Sequence, residues 1–317
     1  MVSFFALLGA AILVGFAVMK ARASAPFRRV VVPGHLAVGV RIARRRSLVR
    51  IAIAIAVAVV VGVAGLGVNA ATPDLFGLPL LLTPLAMTCA GFIVIAVWPQ
   101  VAVAETAVHR SADLIPRGPW SYIPGWSLAL TAFSAVLVLV AVLVFGVTSS
   151  PQPDGLFRAV QVDALPYSST AGPYPGWFYG VPIGVMIAGT ALVAVLALVR
   201  VSSAPRPTDT TLREVDQIMR MILTRVVAKF AAGTFTVYVG GMVFFGGAAL
   251  QAASTLWQMD GSSIFIEPSN TIGVILQAIG LVVFAVGVAL LALGAIDALK
   301  SPFSPRFAPA SVASGAV

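Results

Sequence analysis

The sequence predicts an all-α protein, a polytopic transmembrane helical bundle of seven spans with the N-terminus outside and the C-terminus cytoplasmic. The 317 residues are 59% hydrophobic and only 10% charged, with a mean hydropathy of +1.01. Soluble domains carry about 25% charged residues, so this composition excludes a water-soluble globule. Two further observations, the lengths of the apolar segments and the placement of the basic residues, give the number of spans and their orientation.

Seven apolar segments have or approach the length that crosses a bilayer, which is roughly 20 residues at 1.5 Å each. None of them carries a charged residue in its middle. The first could also be a signal peptide, but its positive charges, Lys20 and Arg22, follow the apolar run instead of preceding it. We therefore predict a retained helix there. The predicted spans are about 2–19, 51–71, 77–98, 126–148, 178–199, 231–253 and 271–298.

The basic residues predict the orientation of these spans. With the N-terminus outside, all of the 20 Lys and Arg residues except Arg158 fall in cytoplasmic segments. This is the distribution that the positive-inside rule describes. The net charge of +9 is thereby explained by topology, so we predict a multi-pass protein of the plasma membrane and no nucleic-acid partner.

Residues 1–300 are predicted to form one transmembrane helical domain, and 301–317 a disordered cytoplasmic tail. The predicted outer loop 149–177 is rich in Pro, Gly and Ser and is too short for a domain. We expect it to lie as an ordered flap on the bundle.

The cytoplasmic segment 211–229 predicts an amphipathic helix. Thr211 and Glu214 fit a capping box, and apolar residues then recur at three- and four-residue spacing. Two interpretations remain open. The helix could lie along lipid headgroups before the sixth span, or it could dock a cytoplasmic protein partner.

The run RIARRRSLVR at 41–50 predicts contact with anionic lipids at the cytoplasmic face of the bilayer. Each basic residue near such a surface contributes about 1 kcal/mol.

Glycines in the last two spans predict a tight helical hairpin. Those of the seventh span recur every seven residues, so they share one face where another backbone can approach closely. Gln277 shares that face and predicts a polar contact near the outer leaflet. The alternative is a substrate path lined by glycine. The glycines are Gly273, Gly280, Gly287 and Gly294 in the seventh span and Gly240, Gly241, Gly246 and Gly247 in the sixth.

Prolines predict local changes of direction at two kinds of place in the spans. Pro84 lies inside the third span and should free the carbonyl of Leu80 for a partner from a neighbouring helix. The tripeptide PGW occurs at 124–126 and 175–177. There the Pro-Gly pair should turn the chain toward the helix and place the tryptophan at headgroup level.

The sequence predicts no catalytic, cofactor-binding or metal-binding residue, and no enzyme. No ionisable side chain lies deep in a span, where proton relays and ion paths place them. His35 and His109 are far apart, and no Cys, His and Asp spacing is typical of a metal site. An enzyme would have to use the acids of the predicted outer face, which are Asp74, Asp154, Asp163, Asp260 and Glu267.

The layout resembles a family of uncharacterised actinobacterial integral membrane proteins. The matching features are the short first helix followed by a basic loop, the stretch GPYPGWFYGVP at 172–182, and the arginine-bearing helix at 212–229. The resemblance implies that some members lie beside transcription regulators and transport genes, and it supplies no activity, cofactor or site residue.

Three functions are compatible with these observations. The first is a permease-like or accessory membrane subunit of a transport complex, which the helix at 211–229 favours. The alternative is a non-transporting membrane scaffold or sensor, which the glycine seams favour. A lipid-modifying membrane enzyme would require the outer acids to meet.

Overall fold

The computed structural model describes residues 31–32, 37–98, 122–164, 167–204, 210–257, 263–300 and 306–307. Within these ranges six helices are long and apolar enough to cross a membrane. The predicted first span at 2–19 lies outside the described residues. The total of seven spans and the orientation therefore stay predictions. The helices are α1 (Ala37–Ala71), α2 (Leu78–Val97), α3 (Gly125–Val147), α4 (Trp177–Ser203), α5 (Thr210–Ala253) and α6 (Ser269–Lys300).

Two helices are longer than the sequence predicts. Helix α1 begins at Ala37, so the basic run 41–50 is helical and continuous with the span that follows. Helix α5 joins the predicted amphipathic segment 211–229 to the sixth span. Its 44 residues extend about 66 Å, twice the thickness of a hydrocarbon core. The physical reason is that no Gly or Pro interrupts the chain between Thr210 and Gly233.

Helix α5 is the centre of the bundle. Two thirds of its most apolar window, 67%, is buried inside the protein, against 11% to 33% for the other five helices. It packs against α6 along most of its length and also contacts α2, α3 and α4. Helix α2 packs against α1 and α4. Helices α2, α3, α4 and α6 therefore pack around α5, and α1 joins the bundle through α2. The five helices other than α5 leave most of their apolar windows unburied.

A small sheet lies at one end of the bundle, which we call the sheet end. Strands β2 (Ser150–Pro151), β3 (Phe157–Ala164) and β4 (Tyr167–Ala171) pair antiparallel in that order. The predicted flap at 149–177 is thus ordered, but it contains strands that an all-α prediction omits. Val160 and Val162 are buried whereas Gln161 and Asp163 are exposed, an alternation typical of a half-buried strand.

Two further pairs of short strands complete the fold. Strand β5 (Thr255–Trp257) pairs antiparallel with β6 (Ser263–Phe265) between α5 and α6. At the opposite end, β1 (Val31–Val32) pairs in parallel with β7 (Arg306–Phe307). The rest of the predicted disordered tail at 301–317 lies outside the described residues.

The predicted hairpin between the last two spans is confirmed as a glycine seam between α5 and α6. A Cβ atom added at Gly240 would lie 2.3 Å from the nitrogen of Phe284, and one at Gly280 would lie 2.4 Å from the nitrogen of Phe244. Backbones can approach this closely only without side chains. The facing pairs are Gly233 with Gly287, Gly240 with Gly280, and Gly247 with Gly273.

Polar contacts flank the seam at both ends. The predicted contact of Gln277 is present, since its Nε2 donates to Oε1 of Gln251 at 2.5 Å. At the other end Lys229 forms an ion pair with Asp297, also at 2.5 Å. The sequence predicts only a pairing of Asp297 with Lys300 in its own helix, because a cross-helix partner is not visible from spacing.

The start of α5 is anchored inside the protein. Val215, Ile222 and Val227 are buried, so the apolar stripe of 211–229 packs within the chain instead of on lipid headgroups. Arg220 is buried as well, although the apolar period places it off the stripe. Its Nη1 donates to the carbonyls of Val201 at 3.0 Å and Ala204 at 2.9 Å. The guanidinium thereby satisfies the last carbonyls of α4, which have no partner within their own helix.

Candidate functional site

An apolar cavity of about 400 Å³ lies among α2, α4, α5 and α6 in the half of the bundle nearer the sheet end. Pockets that bind small molecules span roughly 300–1,000 Å³. The lining includes Phe76, Leu80, Leu81, Pro84, Tyr174, Tyr179, Ile183, Tyr238, Gly241, Met242, Phe245 and Phe284.

One wall begins at the turn that leads into α2. Phe76 and Gly77 both have positive φ, 47° and 80°, which turns the chain sharply after the short helix Pro73–Leu75. The hydroxyl of Tyr179 in α4 donates to the carbonyl of Phe76 at 3.0 Å. This bond holds the turn against α4 and satisfies a backbone group that lies outside any helix.

The same wall continues past the proline inside α2. The hydroxyl of Tyr238 in α5 donates to the carbonyl of Leu81. The sequence predicts that Pro84 frees the carbonyl of Leu80, so the donor binds one residue further along than expected. Thr88 and Thr234 join α2 to α5 at 3.1 Å just below. A neighbouring helix therefore supplies polar partners around the proline, as predicted.

The α5 wall contains a gap. Gly241 lines the cavity, and a Cβ atom added there would meet nothing within 4 Å. Its neighbour Gly240 lies in the glycine seam instead. The absent side chain at Gly241 thus leaves space that the surrounding helices do not fill.

The loop between β4 and α4 covers the cavity at the sheet end. Gly172 and Gly176 allow its close approach to β3, since added Cβ atoms would lie 2.9 Å and 2.3 Å from the carbonyls of Arg158 and Phe157. Tyr174 is buried between them, and its hydroxyl bonds that of Thr148 at 2.5 Å. Burial raises the pKa of Tyr174, and the bond to Thr148 opposes that rise.

The two PGW tryptophans differ in their surroundings. Trp126 is exposed, which agrees with a place at headgroup level, whereas Trp177 packs its ring on Gly146 of α3. A Cβ atom at Gly146 would lie 2.7 Å from that ring. The second copy therefore locks α4 against α3.

The cavity offers a ligand almost no polar group. Its three tyrosines each use the hydroxyl for a bond within the chain, and the other lining residues named above have apolar side chains or none. A pocket with satisfied polar groups and an apolar wall suits an apolar ligand.

One side of the cavity is open. Leu80, Phe245 and Phe284 line it and are each 40% to 51% exposed. All three lie within helices that are apolar enough to cross a membrane. The opening therefore faces whatever surrounds the helices, and in a bilayer that is lipid.

The predicted outer acids that the structure describes, Asp74, Asp154, Asp163 and Glu267, do not line the cavity. Hydrogen bonds from Gln161 and Ser168 lower the pKa of Asp163. A hydrogen bond from Thr271 is the main cause of the lowered pKa of Glu267. Asp154 pairs with Arg158 at 2.6 Å, and Asp260 lies outside the described residues. In the described part of the chain, no group of three His, Cys, Asp or Glu residues could hold a metal ion.

Sequence reasoning missed the cavity and its two principal residues, Tyr238 and Gly241. Tyr238 carried a signal, because a tyrosine in the middle of an apolar span needs a hydrogen-bond partner. No local signal distinguished Gly241 from the other glycines of that span, so the sequence pattern groups it with the glycines of the predicted hairpin.

Comparison of the chain with protein-family models, curated proteins and solved structures finds no match. The resemblance to actinobacterial membrane proteins accordingly stays a prediction. Six described helices are long and apolar enough to cross a membrane, which is compatible with a multi-pass membrane protein.

Proposed function

We propose that this chain is a multi-pass plasma-membrane protein that binds an apolar ligand in the cavity, as the permease-like or accessory membrane subunit of a transport complex. The observation that carries the proposal is the cavity itself. It is apolar, it has the volume of a ligand pocket, and it opens sideways between helices that are apolar enough to cross a membrane. A ligand dissolved in the bilayer could enter without crossing water.

The binding experiment uses Gly241→Leu in the purified full chain, reconstituted in lipid nanodiscs. A leucine at this position enters empty space, so it should occupy the cavity without displacing its walls. We expect binding of a photoreactive long-chain alcohol to weaken about tenfold, equivalent to ~1.4 kcal/mol.

The matched control is Gly189→Leu in α4. Gly189 is exposed, and an added Cβ atom there also meets nothing within 4 Å, but the residue does not line the cavity. Unchanged labelling in both variants would contradict the proposed function.

The predicted orientation places the sheet end outside and the start of α5 in the cytoplasm. The single cysteine, Cys89, can be replaced by alanine, which allows new cysteines at Ser168 and Gln217. Both positions are exposed. An impermeant maleimide should label Ser168→Cys in intact cells and Gln217→Cys only after permeabilisation. The reverse pattern would contradict the predicted orientation.

A cytoplasmic partner at 211–229 remains part of the proposal, in a narrower form. The apolar stripe is occupied within the chain, so a partner would bind the opposite face, where Glu214 and Gln217 are exposed. Anionic lipids remain the proposed partners of the basic run in α1, where Arg41, Arg45 and Arg46 are exposed.

A further inference from the structure

A cation stacks on a residue that lines the cavity, at the sheet end of the bundle. The guanidinium carbon of Arg158 lies 3.6 Å from the centre of the Phe76 ring, and Phe76 lines the cavity. The backbone of Arg158 is fixed at this place, because its carbonyl accepts a hydrogen bond from the Tyr174 N–H at 2.9 Å. Arginine, aromatic ring and covering loop therefore form one unit at the sheet end.

The hydrogen bonds of Arg158 are incomplete. Its Nη2 donates to Asp154 at 2.6 Å, whereas its Nε is buried and has no hydrogen-bond partner among the described residues. A guanidinium has five N–H donors. The protein encloses this Nε, so a bound molecule would meet the guanidinium at its Nη atoms, where the described residues leave N–H donors without an acceptor.

The charge is also unusual in its position. Arg158 is the only one of the 20 Lys and Arg residues that the predicted topology places outside. The side chain is 15% exposed, so most of it is shielded from water. Charges shielded in this way interact more strongly than charges in open solvent.

We propose that the cavity binds an anionic amphiphile, with the apolar chain among α2, α4 and α5 and the anionic head against Arg158. This inference rests on the proposed function of apolar-ligand binding and adds the chemistry of the head. A cationic head would be repelled by Arg158, and a head without a hydrogen-bond acceptor would leave the remaining Nη donors of Arg158 without a partner. A free fatty acid and an anionic phospholipid share the required chemistry.

The experiment compares two photoreactive probes of equal chain length, a fatty acid and a fatty alcohol. The full chain is reconstituted in nanodiscs of zwitterionic phosphatidylcholine at pH 8. We expect the wild-type protein to bind the acid about tenfold more tightly than the alcohol, as a charge-assisted hydrogen bond predicts. Arg158→Gln should abolish this preference and keep alcohol binding, while Arg158→Lys should retain part of it.

The matched control is Arg200→Gln, since Arg200 is an exposed basic residue at the far end of α4. It should leave the preference unchanged. Equal binding of acid and alcohol by the wild-type protein, with both reduced by Gly241→Leu, would overturn the inference about the head and leave the proposed function intact. Binding that Gly241→Leu does not reduce would overturn the proposed function itself.

Doping the nanodiscs with phosphatidylglycerol separates the two sources of the ligand. Displacement of the acid probe by this lipid supports the proposal and indicates a membrane phospholipid. Retention of the acid preference in its presence supports the proposal and indicates a free fatty acid.

Discussion

Two adjacent glycines in α5 lie in different surroundings. Gly240 lies in the seam with α6, where a Cβ atom would collide with the backbone of Phe284 at 2.3 Å. Gly241 lines the cavity, where a Cβ atom would meet nothing within 4 Å. The same residue type therefore serves close packing on one side of the helix and empty space on the other. The seam therefore contributes to the stability of the bundle, whereas the cavity is a candidate functional site.

The largest expected effect comes from Gly240→Ala. Its new methyl group enters backbone-to-backbone contact, so the helices must separate, at a cost of about 1–3 kcal/mol or more. Thermal unfolding of the purified protein in mild detergent measures the effect, with Gly241→Ala as the control. We expect a clear drop in Tm for the first variant and none for the second. Equal shifts would remove the distinction between the two sides of α5.

A smaller effect is expected from Tyr238→Phe. The substitution keeps the ring on the cavity wall and removes the hydroxyl that binds the carbonyl of Leu81. Hydrogen bonds between membrane helices contribute about 0.6 kcal/mol on average. The variant should lose about this much free energy of unfolding and still bind the apolar probe. If it keeps full stability but loses probe binding, the hydroxyl acts on the ligand and the cavity is less apolar than we describe.

The smallest effect concerns the ion pair between Arg158 and Asp154. The hydrogen bond from Arg158, followed by that from the Leu156 N–H, lowers the pKa of Asp154. A lowered pKa in the folded state stabilises the fold above the ordinary aspartate pKa of about 3.9, and this contribution is lost as the pH falls below that value. The Tm difference between the wild-type protein and Asp154→Asn should therefore be constant from pH 7 to about pH 5 and shrink under stronger acid. A difference that changes near neutral pH would contradict this assignment.

The seam was predictable from the sequence and the cavity was not. A spacing of seven residues puts Gly273, Gly280 and Gly287 on one face of any helix, whatever surrounds it. The partner Gly233 obeys the same spacing before Gly240 and Gly247, so it could have been included. A cavity depends instead on what four helices, distant in sequence, fail to fill. No local pattern records such a gap.

The ends of the helices show the same limit. The predicted stripe at 211–229 has the right apolar residues, but its periodicity does not distinguish lipid from protein as the surface it covers. Arg220 is buried because the carbonyls at the end of α4 need donors, a requirement set by another helix. The strands of the flap carried a local signal at 160–163, which the dominance of apolar helices concealed.

The most direct test of the central claim, that the cavity is a ligand site, is to map where a photoreactive apolar probe attaches. Mass spectrometry of the labelled, digested protein locates the adducts. The account predicts adducts on cavity residues such as Leu80, Tyr179 and Met242, with loss of those adducts in Gly241→Leu and their retention in Gly189→Leu. Adducts spread evenly over outward-facing residues such as Val136 and Leu192, unchanged in Gly241→Leu, would contradict it.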